Sequence, residues 1–128
     1  MERGGFYERL AQDGTGLLEP RRARVNPRQI YCYSLAAKLG WQGPAQRAVE
    51  HGLEYFLRHY RREDRLFRGV VSSDGSVVSE RAVLYDQAFA LLALARAYDT
   101  FSRDEYRQMA RELHDVLRAQ LGHHIAGF

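Results

Sequence analysis

The stretch Leu84-Tyr85-Asp86-Gln87-Ala88-Phe89-Ala90-Leu91-Leu92-Ala93-Leu94-Ala95-Arg96-Ala97 decides the fold. It is rich in leucine and alanine, has no glycine or proline, and predicts a helix over about 82–99. Its apolar residues fall on every side, so such a helix needs cover on both flanks. The segment that follows, about 103–121, reads differently. Tyr106, Met109, Ala110, Leu113, Val116, Leu117 and Leu121 form one stripe. A helix with a single stripe lies on the outside of a fold. Ser102 and Glu105 have capping-box spacing at its start, and Gly122 closes it.

The same alternation stands upstream. Residues 27–39 predict a helix with Ile30, Tyr31, Cys32, Tyr33, Leu35, Ala36, Ala37 and Leu39 on all sides. Asn26 fits its N-cap, Pro27 its first position and Gly40 its end. Residues 44–60, opened by Pro44, carry one stripe: Ala45, Ala48, Val49, Gly52, Leu53, Phe56, Leu57 and Tyr60. Arg47, Glu50, His51, Glu54 and Arg58 lie opposite. Two inner and two outer helices build concentric layers, the pattern of an α/α toroid or a solenoid of helical hairpins.

A period of 61 residues supports the pairing. Phe6 is followed by Asp13-Gly14, and Phe67 by Asp74-Gly75 at the same spacing. Gly4-Gly5-Phe6 and Ala126-Gly127-Phe128 carry the same signal at the two ends. The 128 residues therefore read as one domain with repeats of about 6–66 and 67–127. Each repeat is expected to open with a short β-hairpin around its Asp-Gly turn. The first pairs 6–10 with Leu17-Leu18; the second pairs 66–71 with Ser76-Val77-Val78. The fold class expected is all-α, with short β-hairpins between helix pairs.

Composition narrows the function. Hydrophobic residues make up 45% and charged residues 27%, ordinary for a folding domain. No run approaches the ~18 apolar residues of a membrane span, and Met1-Glu2-Arg3-Gly4-Gly5 has no apolar leader core. A cytoplasmic protein with no membrane partner is expected. The net charge is +3, but acids interleave with bases, and only Lys38 of the 19 basic residues is lysine. A nucleic-acid footprint clusters on one face, so no nucleic-acid partner is expected. No phosphate-binding glycine loop indicates a nucleotide cofactor.

Polar residues on buried helices need reasons. Arg28 and Gln29 stand in the first turn of one inner helix, and Tyr85, Asp86 and Gln87 in the first turns of the other. Parallel inner helices would bring all five to one end of a cavity. An arginine, an acid, two amides and a phenol suit a ligand rich in hydroxyl and carbonyl groups. The competing reading is that Arg28 pairs with Asp86 and both only cap helices. Cys32, without an inner histidine to activate it, reads as a packed thiol. Tyr31, Tyr33 and Trp41 read as core. His51, His59 and His114 fall on or near polar faces of outer helices, and His123 and His124 lie past the last helix. All five read as surface histidines, and no metal site is expected.

Several motifs, in order along the whole chain, resemble the N-acylglucosamine 2-epimerase family, which includes mannose isomerases and cellobiose 2-epimerases. They are Gly4-Gly5-Phe6-Tyr7-Glu8-Arg9-Leu10 with Asp13-Gly14, Arg24-Val25-Asn26-Pro27-Arg28-Gln29-Ile30-Tyr31, Leu39-Gly40-Trp41, His51-Gly52-Leu53, and Leu84 through Ala95. The resemblance implies a six-hairpin (α/α)6 toroid, of which this chain holds about one third. It implies that Arg28 and Tyr85 bind a small sugar, with Gln29, Asp86 and Gln87 at the pocket rim. The implied chemistry is proton transfer at C2 of an open-chain sugar, with histidines on later inner helices as acid and base.

No inner helix here carries a histidine, so no catalytic residue is assigned. Six repeats of 61 need roughly 366 residues, so the resemblance implies an N-terminal fragment, inactive alone. Such an arc would expose helix flanks for self-association or a complementing fragment. The alternatives are a helical-repeat interaction module without catalysis and, more weakly, a glycoside hydrolase. The latter needs a carboxylate pair, and Asp86 is the only acid expected at the start of an inner helix.

Overall fold

The computed structural model describes residues 4–121. It contains β1 (Arg21–Arg22), α1 (Val25–Lys38), α2 (Ala45–Tyr60), β2 (Val70–Val71), β3 (Val77–Ser79), α3 (Leu84–Phe101) and α4 (Asp104–Leu121). The four helices fall within a few residues of the segments expected from periodicity.

Helices α1 and α3 pack against each other, α2 packs on α1, and α4 packs on α3. Helices α1 and α3 run parallel. Arg24 meets Asp86 at their starts, and Lys38 meets Asp99 at their ends. Near those ends the Thr100 hydroxyl also donates to the Ser34 carbonyl at 3.0 Å.

Helix α1 ends as its sequence dictates. Gly40 adopts φ +94°, which frees its N–H for Ala37 O at 3.0 Å and brings Trp41 N–H to Ala36 O at 2.9 Å. That double bond is the Schellman stop, and glycine takes this φ without Cβ strain. The start differs from expectation. The helix begins at Val25 with no side-chain cap. Asn26 is already inside it, fully buried beside the Tyr60 hydroxyl.

The two Asp-Gly turns repeat bond for bond. Ala11 N–H donates to Thr15 O, Gly14 N–H to Ala11 O and Thr15 N–H to Asp13 Oδ1. Sixty-one residues on, Ser72, Gly75 and Ser76 make the equivalent bonds to Ser76 O, Ser72 O and Asp74 Oδ1. The arms differ. The first turn closes only a single bridge, Leu10 to Gly16, and Leu17-Leu18 form no strand. The second carries β2 and β3, paired antiparallel with a bulge between Val70 and Val71. Strand β1 adds to β2, aligning Arg21 with Val71, and completes a three-stranded antiparallel sheet. A two-residue strand of arginines carries no apolar alternation, so the sequence did not announce it.

Four further expectations are corrected. Ser102, expected to open α4, instead closes α3: it takes φ +55° as that helix's C-cap and donates its N–H to Tyr98 O. Helix α2, expected on the outside, is more buried than α1, expected on the inside. Helix α2 buries Val49, Leu53, Tyr55, Phe56 and Tyr60, whereas α1 buries Asn26, Pro27, Ile30 and Ser34. Helix α2 is covered from several sides: Gly5 lies on the Tyr55 ring, Phe6 lies over Gly52, and the segment after α2 brings Phe67 onto Phe56. Cys32 is exposed rather than packed. It faces a shallow groove with Gln29, Tyr33, Ala36, Leu39 and Trp41 that no described element covers. Trp41, expected in the core, is 48% exposed at its edge.

Candidate functional site

The site is built at the start of the parallel pair α1 and α3. Two arginines one turn apart, Arg24 and Arg28, face two aromatics one turn apart, Tyr85 and Phe89. The Arg24 guanidinium lies 4.7 Å from the centre of the Tyr85 ring, and that of Arg28 lies 4.9 Å from Phe89. Tyr85 and Phe89 meet edge to face at 5.0 Å. Each contact is an attraction between a cation and a π face, or between ring quadrupoles.

Below this surface stands Asp86, 1% exposed, accepting a 2.9 Å hydrogen bond from Arg24 Nε. Burial pushes the Asp86 carboxyl above its ordinary range, and the Arg24 charge opposes that shift. The acid therefore pairs with Arg24 and not with Arg28. The Arg28 side chain makes no hydrogen bond or ion pair among the described residues, and it is exposed. Tyr85 is 49% exposed.

Of the five residues expected at the pocket, Arg28, Gln29 and Tyr85 are at the surface. Gln29 also borders the Cys32 groove. Asp86 and Gln87 do not reach a rim. Gln87 is fully buried: its Oε1 accepts from Phe67 N–H at 2.8 Å, and its Nε2 donates to Phe67 O at 2.7 Å. Both residues serve structure because their helical positions face the core, between α3 and the chain segments packed on it. Arg24 and Phe89 were missed as parts of the site. Their signal was present in the spacing, since Arg24/Arg28 and Tyr85/Phe89 are both i, i+4 pairs, which share a helix face.

The histidines stand elsewhere. His51 is on α2, with Nε2 3.2 Å from Gly5 O and its ring edge-on to Phe6. The His59 ring lies tilted against Tyr55, its centre 4.3 Å from that ring's centre, and His114 is exposed on α4. His123 and His124 lie outside the described residues. Among the described residues no cluster of metal-binding side chains occurs, and no helix is long and apolar enough to cross a membrane.

The arrangement offers an unpaired guanidinium and a phenol hydroxyl on an aromatic floor. Such a surface donates hydrogen bonds to oxygen-rich ligands and stabilises negative charge that develops on one of their oxygens.

Comparison with known proteins carries the reading further. The profile of the N-acylglucosamine 2-epimerase (GlcNAc 2-epimerase) family matches residues 5–128. The chain is 36% identical, over 129 aligned residues, to a mannose-6-phosphate isomerase of Rhizobium meliloti (strain 1021), covering 99% of this chain and 33% of that protein. Cellobiose 2-epimerase from Spirochaeta thermophila DSM 6192 superposes with a TM-score of 0.83 at 25% identity, over 92% of this chain and 30% of the epimerase. A D-mannose isomerase superposes with the same score at 20% identity, over 91% of this chain and 29% of its own, a likeness of fold. The chain thus spans about a third of the length of these relatives. Matched from Gly5 onward by the family profile and along nearly its whole length by a sugar-phosphate isomerase, the chain belongs to the N-acylglucosamine 2-epimerase family.

Proposed function

We propose that this chain supplies one wall of the sugar site of an epimerase or isomerase acting at C2 of an open-chain sugar. The observation that carries the reading is the pairing of Arg28 with Phe89 across the parallel helices, and of Phe89 with Tyr85 along α3. In this reading Arg28 and Tyr85 hydrogen-bond the sugar, and Gln29 borders the pocket. Removing the C2 proton of an open-chain aldose leaves an enediolate, whose charge falls on the carbonyl oxygen. A guanidinium fixed beside that oxygen lowers the barrier, because it is oriented before the charge appears.

The proton itself needs a base of suitable pKa within reach. Among the described residues, α1 and α3 carry no histidine. The acid and base therefore come from further helices in this reading, and the two hairpins form part of an α/α toroid. The uncovered apolar groove at Cys32 and Trp41 and a second one between α3 and α4, lined by Leu91, Ala95, Tyr98 and Ala110, support association with such helices. No cofactor is required by the proton transfer.

Saturation-transfer NMR with mannose, N-acetylglucosamine and cellobiose tests the reading. Transfer from the wild-type chain to at least one sugar is expected, reduced severalfold by Arg28→Met and by Tyr85→Ala. Absence of transfer to all three, or transfer unaffected by both substitutions, would overturn it.

A further inference from the structure

We propose that Arg24 is a positioning residue of this site: anchored by buried Asp86, it fixes the plane of the Tyr85 ring and, through Phe89, the guanidinium of Arg28. The proposal rests on the reading above that Arg28 and Tyr85 touch the sugar.

Three observations carry it. First, Arg24 is held at two points that face adjacent residues of α3. Its Nε donates to Asp86 Oδ1 at 2.9 Å, and its planar group lies 4.7 Å from the Tyr85 ring centre. A flat guanidinium can do both at once, whereas an ammonium has no plane to lay on the ring. Second, Arg24 and Asp86 join α1 to α3 at the end that carries the site. The matching ion pair at the far end, Lys38 with Asp99, is about half exposed on both sides and is screened by water. The register of the two helix starts therefore depends more on the Arg24 pair, which is anchored on buried Asp86. Third, the contacts form a ladder, Arg24 on Tyr85, Tyr85 on Phe89, Phe89 under Arg28. A rotation of Tyr85 passes to Phe89 and then to Arg28. The buried acid engages Arg24, so the neighbouring Arg28 keeps its donors free for a ligand.

A simple counterion role predicts something different. If Arg24 only neutralises Asp86, replacing both residues with apolar ones of similar size restores the fold and leaves the site intact. Buried ion pairs commonly tolerate such replacement. The test compares the wild-type chain, Arg24→Met, Arg24→Met/Asp86→Met and Arg24→Lys. The readouts are thermal melting, the aromatic carbon-proton NMR signals of Tyr85, and saturation transfer to mannose.

The double variant is expected to melt near the wild type, with Tyr85 signals moved toward free-tyrosine positions and transfer to mannose reduced at least threefold. Wild-type Tyr85 signals in a folded double variant would overturn the proposal. If the double variant does not fold, Arg24→Lys decides. It keeps the charge pair, so wild-type melting with displaced Tyr85 signals supports the role, and unchanged signals overturn it. If the wild-type chain itself contacts no mannose, the sugar reading fails, while the Tyr85 signals still decide the role of Arg24.

Discussion

Gln87 and Phe67 hold each other by a reciprocal pair of hydrogen bonds, the amide of the one to both backbone groups of the other, at 2.8 and 2.7 Å. The contact fastens the loop after α2 to the start of α3, directly beneath Tyr85 and Asp86. Phe67 in turn stacks on Phe56 at 4.2 Å, so the clamp ties the site to the core of α2. Gln87→Leu removes the amide and leaves a buried N–H and a buried C=O without partners. Each orphaned group costs about 1–3 kcal/mol, so a loss of about 2–6 kcal/mol is expected. Urea denaturation would measure it, and a variant within ~0.5 kcal/mol of the wild type would show that water replaces the clamp.

Asp86 gives a pH dependence with a definite sign. Its carboxyl is raised above 3.8 in the folded chain, mainly by burial, with Arg24 opposing. The folded state therefore takes up this proton more readily than the unfolded chain does. The contribution to stability is full below the ordinary carboxylate value and is lost as pH rises through the raised one. Carboxyl carbon NMR should find the Asp86 midpoint above 3.8, and higher still in Arg24→Met. A midpoint below the ordinary value would mean that the ion pair outweighs burial.

Trp41, the single tryptophan, reports on the uncovered groove beside Cys32 and Leu39. Burying side chains such as Leu39 or Trp41 is worth roughly 1.5–3 kcal/mol each. The chain alone is expected to self-associate as its concentration rises, with a blue shift of Trp41 emission as the groove is covered. Leu39→Ser should weaken the association. Sedimentation showing a monodisperse monomer, with no binding of an apolar dye, would contradict this.

The chain alone is expected to leave sugars unchanged, because neither α1 nor α3 carries a histidine among the described residues. Incubation with mannose in deuterated water should show no enzyme-dependent exchange at C2. Exchange would place the acid and base on groups of this chain.

The helices were legible in the sequence because their signals are local. The Gly40 stop, Pro44 before α2 and the single stripes of α2 and α4 depend on a few neighbouring residues. The turn repeat was legible for the same reason, as Asp13-Gly14 and Asp74-Gly75 specify their own bonds. What escaped depends on distant partners. Strand β1 exists only because β2 lies beside it, and α2 is deeply buried because Gly5, Phe6 and Phe67, distant from it in sequence or beyond its end, pack onto it. At the candidate site, residue types and positions picked out Arg28, Gln29, Tyr85, Asp86 and Gln87 together, and only the family resemblance singled out Arg28 and Tyr85. The pairing of Asp86 was not legible, since two arginines one turn apart are equally plausible partners until helix register is fixed. Gln87 looked like a ligand amide because a buried clamp and a pocket donor have the same sequence signature.

The central claim is that Arg28 and Tyr85 face one sugar, and a mannose titration followed by two-dimensional NMR tests it most directly. The account predicts saturable shifts concentrated on the Arg28 side chain and the Tyr85 and Phe89 rings, with Trp41 and the α4 surface unmoved. Shifts centred on the Trp41 groove, or no saturable shift at Arg28 and Tyr85 at any mannose concentration, would contradict it.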